Sequence, residues 1–555
     1  MRATVSVVMG VVVVGLVVLG FVLDNVVPTS ASEDGGQPAA AATSGAWVCS
    51  AGNTVGDSRL ELIAAAPPDD GGEASTLRVI PFGSGRILER APQQVFPRSA
   101  ISIQAESGRS DLAVMTRWWD VPAAVTRVWH VATQGAPNGL VAGPCQQRPA
   151  ERWIVPGVAT AGGAQSSVVI ANPFTSAASV AIDLTTPDGV VSPKRLENVV
   201  VPERSTVSIS LNEHVPEQPD VGVIVRTRSG RVFVEAVQTF DAAIGGIEGT
   251  SLAAAAAQPA ETWTIPSVEL GGEASSWLWV TNPSDEPAAL LLALHTREGG
   301  LVPEGLEEII IDPGVTRRVD LVGLVGEPIP SAPAEEGTET APEDGTEAAT
   351  ETPTEDPTEV PTETAVPTQA GVTVSSDNGV PVVVSGVTQY RSDREERTGI
   401  TVALGTPELD ASWILSPGIV ADRTLVDLVN PSAEAAVVDV SVWGGAGFAR
   451  PEGLTGLRVP PGGSLVVELD TTGMPGPLTI FATATEGQVA AGVRSFELEG
   501  RRNAVAFVGI PSSVFEVAAG APTAELAPDL PTRLGTRLGP SPPSDPLLRE
   551  DATAP

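Results

Sequence analysis

Apolar and polar residues alternate in short runs along most of this chain. Val180, Ile182 and Leu184 fall on one side of one run, and Val207, Ile209 and Leu211 on one side of another, with polar residues between them. A period of two predicts half-buried strands. Turn signals such as Thr-Pro-Asp-Gly (186–189), Arg-Ser-Gly (228–230) and Asp-Asn-Gly (377–379) separate the runs at hairpin intervals. No stretch of the folded region has the pattern of an amphipathic helix, so the chain reads as all-β.

The runs recur in a fixed order. WIVPGVATAGGAQSSVVIANP starts at Trp153, WTIPSVELGGEASSWLWVTNP at Trp263 and WILSPGIVADRTLVDLVNP at Trp413. Trp153 to Asn172 and Trp263 to Asn282 span 19 residues each, and Trp413 to Asn430 spans 17. A Pro-centred turn follows at Pro202, Pro313 and Pro461, then a segment closing on Phe240, Tyr390 or Phe496, then a last apolar stretch. A degenerate first copy opens at Trp47, has its Pro turn at Pro97, and is matched to the closing aromatic at Trp119. Repeats of about 100 residues with about seven strands predict a tandem array of four immunoglobulin-like β-sandwich domains. A β-propeller is the second choice, because its blades need only about 40–50 residues each. The expected boundaries are 46–150, 151–260, 261–410 and 411–515.

The flanks and one insertion read differently. Ala3 to Leu23 is an uncharged apolar run long enough to cross a bilayer as a helix. Arg2 precedes it and Asp24, Glu33 and Asp34 follow, which places the N-terminus in the cytoplasm and the bulk outside. Residues 1–27 are therefore expected to anchor the protein in the cell membrane, with 28–45 as a disordered stalk. Secretion after cleavage near Ala31 is the alternative, since Thr29-Ser30-Ala31 has small-residue character. Residues 327–370 carry twelve acids and no base, with many Thr-Pro pairs, and are expected to loop out of the third sandwich as disordered chain. Residues 516–555 form a Pro-rich tail.

Composition narrows the chemistry. A net charge of −36 over 555 residues leaves no basic stripe for a nucleic acid. The sole lysine, Lys194, lies in Pro-Lys-Arg, so no P-loop exists to hold a nucleotide. His130, His214 and His295 fall in different repeats, and no His-Glu-x-x-His or Gly-x-Ser-x-Gly motif occurs, so neither a metal nor a cofactor is expected. Cys49 opens the first repeat and Cys145 ends it. A bridge there would tie its first and last strands, and two unrelated thiols are the alternative.

The residues that recur are structural in kind. Trp47, Trp153, Trp263 and Trp413 read as packing anchors, and Asn172, Asn282 and Asn430, each followed by Pro, as turn initiators. Only the third repeat carries Trp277 and Trp279 before its Asn. Leu278 and Val280 match apolar positions in the other copies, so alternation turns both tryptophans away from their own core. They are candidates for a binding platform, or for packing on a neighbour.

The anchor, the stalk, the W-x-[IVL]-[PS] and Asn-Pro motifs and the acidic Thr-Pro insertion resemble a family of actinobacterial membrane-anchored proteins of unknown function, domain of unknown function 5719. The resemblance runs from the anchor to about residue 512 and implies a cell-envelope setting, with no activity to carry over. The expected role is non-enzymatic: a membrane-anchored envelope protein presenting sandwiches to a protein or glycan. A carbohydrate-binding or carbohydrate-processing ectodomain and a pure spacer are the alternatives.

Overall fold

The computed structural model describes residues 40–517 apart from 42–43, 51–58, 68–71, 84–85, 88–90, 105–112, 132–138, 242–248, 272–273, 304–307, 322–325, 329–368, 393–396, 419–422, 445–446, 472–473, 475 and 498–502. The expected membrane helix, most of the stalk, the bulk of the acidic insertion and the tail past Val517 lie outside the described residues; Ser44, Gly45, Glu516 and Val517, expected in stalk and tail, are in strands. Among the described residues, regular structure consists of β-strands and two 3-10 turns, and no helix is long and apolar enough to cross a membrane.

The second repeat shows the plan. Its opening strand Arg152–Val158 pairs with Val221–Ser229, which pairs with Ala178–Thr186, and short strands at Gly189–Val191 and Val199–Val201 finish this sheet. A second sheet runs Ser205–Ser210, Ala164–Asn172, Phe233–Phe240, Gly249–Ala254. Both sheets are antiparallel. Alternation is legible in burial: Ala178, Val180, Ile182 and Leu184 are buried while Ser179, Ala181 and Asp183 between them are half-buried. The same two-sheet order recurs in the other three repeats.

Backbone geometry repeats as faithfully as pairing. The residue after the Pro turn adopts left-handed φ in every copy: Arg98 (57°), Arg204 (50°), Gly314 (68°) and Gly462 (60°). A second left-handed site falls at Asp120 (78°), Gly230 (74°), Gly379 (74°) and Gly487 (73°). Glycine takes this conformation without a Cβ clash, and Asp is among the residues that tolerate it best. The first and second repeats have Arg at the first site, and the first alone lacks glycine at the second, where Asp120 stands.

That register corrects one match. Trp119 ends the strand Ala113–Trp119, which corresponds to Val221–Ser229 and not to the strand closing on Phe240. The true counterpart is Ala124–Val131, where Val131 faces Gly139 as Phe240 faces Gly249. The insertion boundaries also move. Gly326–Pro328 and Gln369–Ser376 are both strands of one sheet, so the insertion leaves and rejoins the third repeat within that sheet.

The array closes on itself. The last strand of each second sheet, Gly139–Pro144, Gly249–Ala254, Arg397–Leu404 and Asn503–Val508, lies against its counterparts in the preceding and following repeats, and the fourth lies against the first. We call these the axial strands. The ring is sealed where the fourth repeat meets the first. There Thr126 Oγ1 donates to the Ser416 carbonyl at 2.9 Å, and Gly418 sits so close to Ile63 and Val128 that a Cβ would fall 2.5 Å from each. Phe515, near the end of the described chain, packs edge-on against Trp47 and Trp118 with centroids 6.2 and 6.1 Å away.

Candidate functional site

The recurring tryptophans all do one job. Each indole N–H donates to the carbonyl just before the neighbouring central strand: Trp47 to Ala123 at 2.7 Å, Trp153 to Val232 at 3.0 Å, Trp263 to Val382 at 2.7 Å and Trp413 to Val489 at 2.8 Å. All four rings are buried. The recurring asparagines are equally regular clips. The Oδ1 of Asn172, Asn282 and Asn430 accepts from the N–H two residues on, each at 3.0 Å. Their Nδ2 donates four residues on, to Ser176, Glu286 and Glu434, and also to Val201, Ile311 and Val459 in the other sheet. A buried amide with its donors and acceptor satisfied is a structural device. The first repeat has Ala66 at this position, again followed by Pro and again 19 residues after its Trp.

Cys49 and Cys145 are bridged, with Cα atoms 4.9 Å apart across a separation of 96 residues. Cys145 sits where the axial strand crosses over to meet the opening strand, beside the Val48–Gln146 bridge. The matching position in the fourth repeat is Gly509, where a Cβ would fall 2.5 Å from Leu415, the counterpart of Cys49. A large–small apolar pair thus fills the space that the disulfide takes in the first repeat.

Trp277 and Trp279 turn away from their own core, as alternation requires, while Leu278 and Val280 face into it. They are not a platform. Trp277 is 4% and Trp279 1% exposed, because the opening strand of the second repeat covers them. Trp279 lies on Gly157, where a Cβ would fall 2.2 Å from the indole, and its N–H donates to Asp220 Oδ1 at 2.8 Å. Its ring meets Trp277 edge-on at 5.8 Å, and the Arg318 guanidinium sits 4.0 Å over Trp277. Burial pushes the Asp220 carboxyl above its ordinary pKa, against the opposing pull of the Trp279 hydrogen bond. The periodicity gave the direction of both side chains correctly, and the preceding repeat is the neighbour on which they pack.

Each seam between repeats has its own polar contact. Between the first and second, Arg127 pairs with Glu235 in a buried bidentate bridge, and the Ser50 N–H also donates to Glu235 at 3.0 Å. Between the third and fourth, Arg494 reaches Asp427 at 2.6 Å and Glu269 at 3.0 Å. Burial alone would lower the Arg494 pKa, but the Asp427 carboxylate outweighs it and holds the guanidinium above its usual value. Nearby, buried His295 shares Nδ1 with the Gly462 carbonyl and Nε2 with Thr373, both at 2.8 Å. The carbonyl can only accept, so the neutral ring carries its proton on Nδ1. Burial lowers the His295 pKa.

One end of the axis opens into a cavity of about 690 Å³. Its walls come from all four axial strands in two matching layers: Ala142, Leu252, Val402 and Ala506, then Pro144, Ala254, Leu404 and Val508. Deeper along the same strands the space falls to about 20 Å³. That narrow space is lined in part by Thr250, Ser251 and Thr401; beyond it Gly249 and Gly399 have φ of 143° and 120°, and a Cβ on Gly249 would stand 3.7 Å from the Gly399 Cα. The mouth carries exposed Gln258 and Glu408. Thr406 is turned inward on its own loop, its hydroxyl accepting from the Glu408 N–H at 3.2 Å. Sequence reading missed this recess, because each axial strand alone is only a short Ala- and Val-rich run. Among the described residues, no three His, Cys, Asp or Glu side chains gather where they could hold a metal ion.

These features define an all-β protein in which paired sheets close into a ring around an axial cavity walled mainly by apolar side chains. The chain belongs to the Family of unknown function (DUF5719), whose model matches residues 118–388 and 372–504. No curated protein matches it.

Proposed function

We propose that the protein is a non-enzymatic scaffold of the cell envelope that engages another envelope component, protein or glycan, at the open end of its axis. In this reading each sheet pair is an immunoglobulin-like sandwich and residues 1–27 anchor the chain, with the body outside the cytoplasm. The observation that carries it is the mouth of the axial cavity. All four repeats contribute to it, so a partner bound there would sense the intact ring, and recessed apolar surface with few polar groups is the usual form of a binding site. A carbohydrate platform at Trp277 and Trp279 loses its support, because both rings are covered.

The test places a photo-crosslinking amino acid in the full chain at Gln258 or Glu408 on the rim, or at Val302 on the outer face, and irradiates intact cells. The expected result is a discrete adduct from the rim positions alone. Equal adducts from Val302, or none from any position, would favour a spacer and overturn the reading. A reporter active only outside the cytoplasm, fused after residue 45, is expected to give signal in the membrane fraction.

A further inference from the structure

We infer that the axial cavity holds a single apolar chain of a lipid-like molecule, with its head group left in water at the mouth. The inference rests on the mouth being a binding face, and it names what enters there. The side chains of both wall layers are apolar in all four strands, and the charged group of the lining, Glu408, stands at the rim, so an apolar ligand chain is the better match to the walls. The volume, about 690 Å³, is in the range of small-molecule sites. Water is a poor occupant, since a buried water needs two to four polar partners. Thr406 cannot serve as one readily, being engaged with its own loop at 3.0 and 3.2 Å. Past Ala142, Leu252, Val402 and Ala506 the space narrows to about 20 Å³, where Thr250 and Thr401 join the lining, too little room for the chain to continue. Glu408, the only acid in the lining, is exposed at the rim, which sets the head group: a neutral or zwitterionic one meets no repulsion there, whereas a carboxylate does.

The probes are two photoreactive alkyl molecules, a phosphatidylcholine with a diazirine in one acyl chain and a free fatty acid with the same diazirine. Membranes containing the full chain are incubated with each, irradiated, and the labelled peptides mapped. Label is expected within 139–144, 249–254, 397–404 and 503–508, stronger with the phospholipid than with the fatty acid. Ala254→Phe fills one wall and is expected to cut that label about tenfold, the equivalent of roughly two buried methylenes. Leu404→Trp, on another wall, does the same by an independent route, and a urea unfolding midpoint close to that of the wild type reports that each variant is folded. Label confined to residues 1–39, or unchanged in both folded variants, would overturn the inference. Rim crosslinks to a partner would survive that failure, so the two readings fall separately. Stronger label from the fatty acid would keep the apolar chain and overturn the head-group assignment.

Discussion

Trp279 joins the second and third repeats through packing and one hydrogen bond, and two substitutions separate these. Trp279→Ala removes a ring that is 1% exposed and seated on Gly157. Truncating a buried aromatic costs about 3–5 kcal/mol. Losing the edge-on contact with Trp277 and the donor to Asp220 brings the expected total to about 5 kcal/mol. Trp279→Phe keeps most of the bulk and deletes the N–H, so it should cost about 1–3 kcal/mol at neutral pH, the penalty for a buried acceptor left without its donor. The pH dependence follows from Asp220. Its folded pKa is raised by burial, so its contribution is most favourable below the ordinary carboxylate pKa and is lost as pH rises through the folded value. Asp220→Asn should therefore stabilise the protein at pH 7 and change little near pH 3.5. Trp279→Phe should be milder in acid than at pH 7. Urea unfolding of the full chain, followed by circular dichroism at both pH values, measures all three. A Trp279→Ala variant within about 1 kcal/mol of wild type would refute the packing argument, and an Asp220→Asn effect that ignores pH would refute the electrostatic one.

Three further outcomes are expected. Asn282→Ala strips two donors and one acceptor from a buried clip and should destabilise by about 2–3 kcal/mol, read as a shift in urea midpoint without a change in slope. Arg127→Met leaves Glu235 buried without its cation and should cost about 3–5 kcal/mol, whereas Arg127→Met with Glu235→Met together should recover most of that loss in a double-mutant cycle. His295 is buried neutral with its folded pKa lowered, so its contribution is present above pH 6.5 and lost as pH falls through the folded value; His295→Gln should flatten that part of the stability profile between pH 7 and 5.

The strands and their repeats were legible because burial on one face of a sheet imposes a period of two, and the recurring Trp and Asn-Pro landmarks hold equivalent junctions. The Cys49–Cys145 pairing was legible for a related reason: both residues fall at the ends of one repeat. The match at Trp119 failed because Asp120 follows it where the other copies have a glycine turn before the central strand, so no glycine marked the hairpin. Ala66 hid its Asn position in the same way. The axial cavity was illegible altogether, because it belongs to no single repeat. It arises only when four short strands, far apart in the chain, meet at one axis.

The contrast between what recurs and what does not has a physical basis. The Trp and Asn clips act within one repeat, so the same solution serves each time. The seams act between repeats whose faces have nearly the same shape, and identical seams would let any face dock on any other. Here one seam carries Arg127 and Glu235, the next Trp279 and Asp220, the next Arg494 with Glu269, and the last the uncharged hydrogen bond of Thr126 to Ser416 beside Gly418, Ile63 and Val128. Docked out of order, Arg127 or Glu235 would be buried without its ion partner, since the other repeats carry Thr126, Ser385 and Gly492 where the second has Glu235, at a cost of several kcal/mol. Buried charge adds little to the stability of the correct ring, but it penalises every incorrect one, and specificity is a difference between the two. The disulfide fits the same logic. The first repeat lacks the Asn clip and must also receive Phe515 to close the ring, and it is there that a covalent tie holds the opening strand to the axial one.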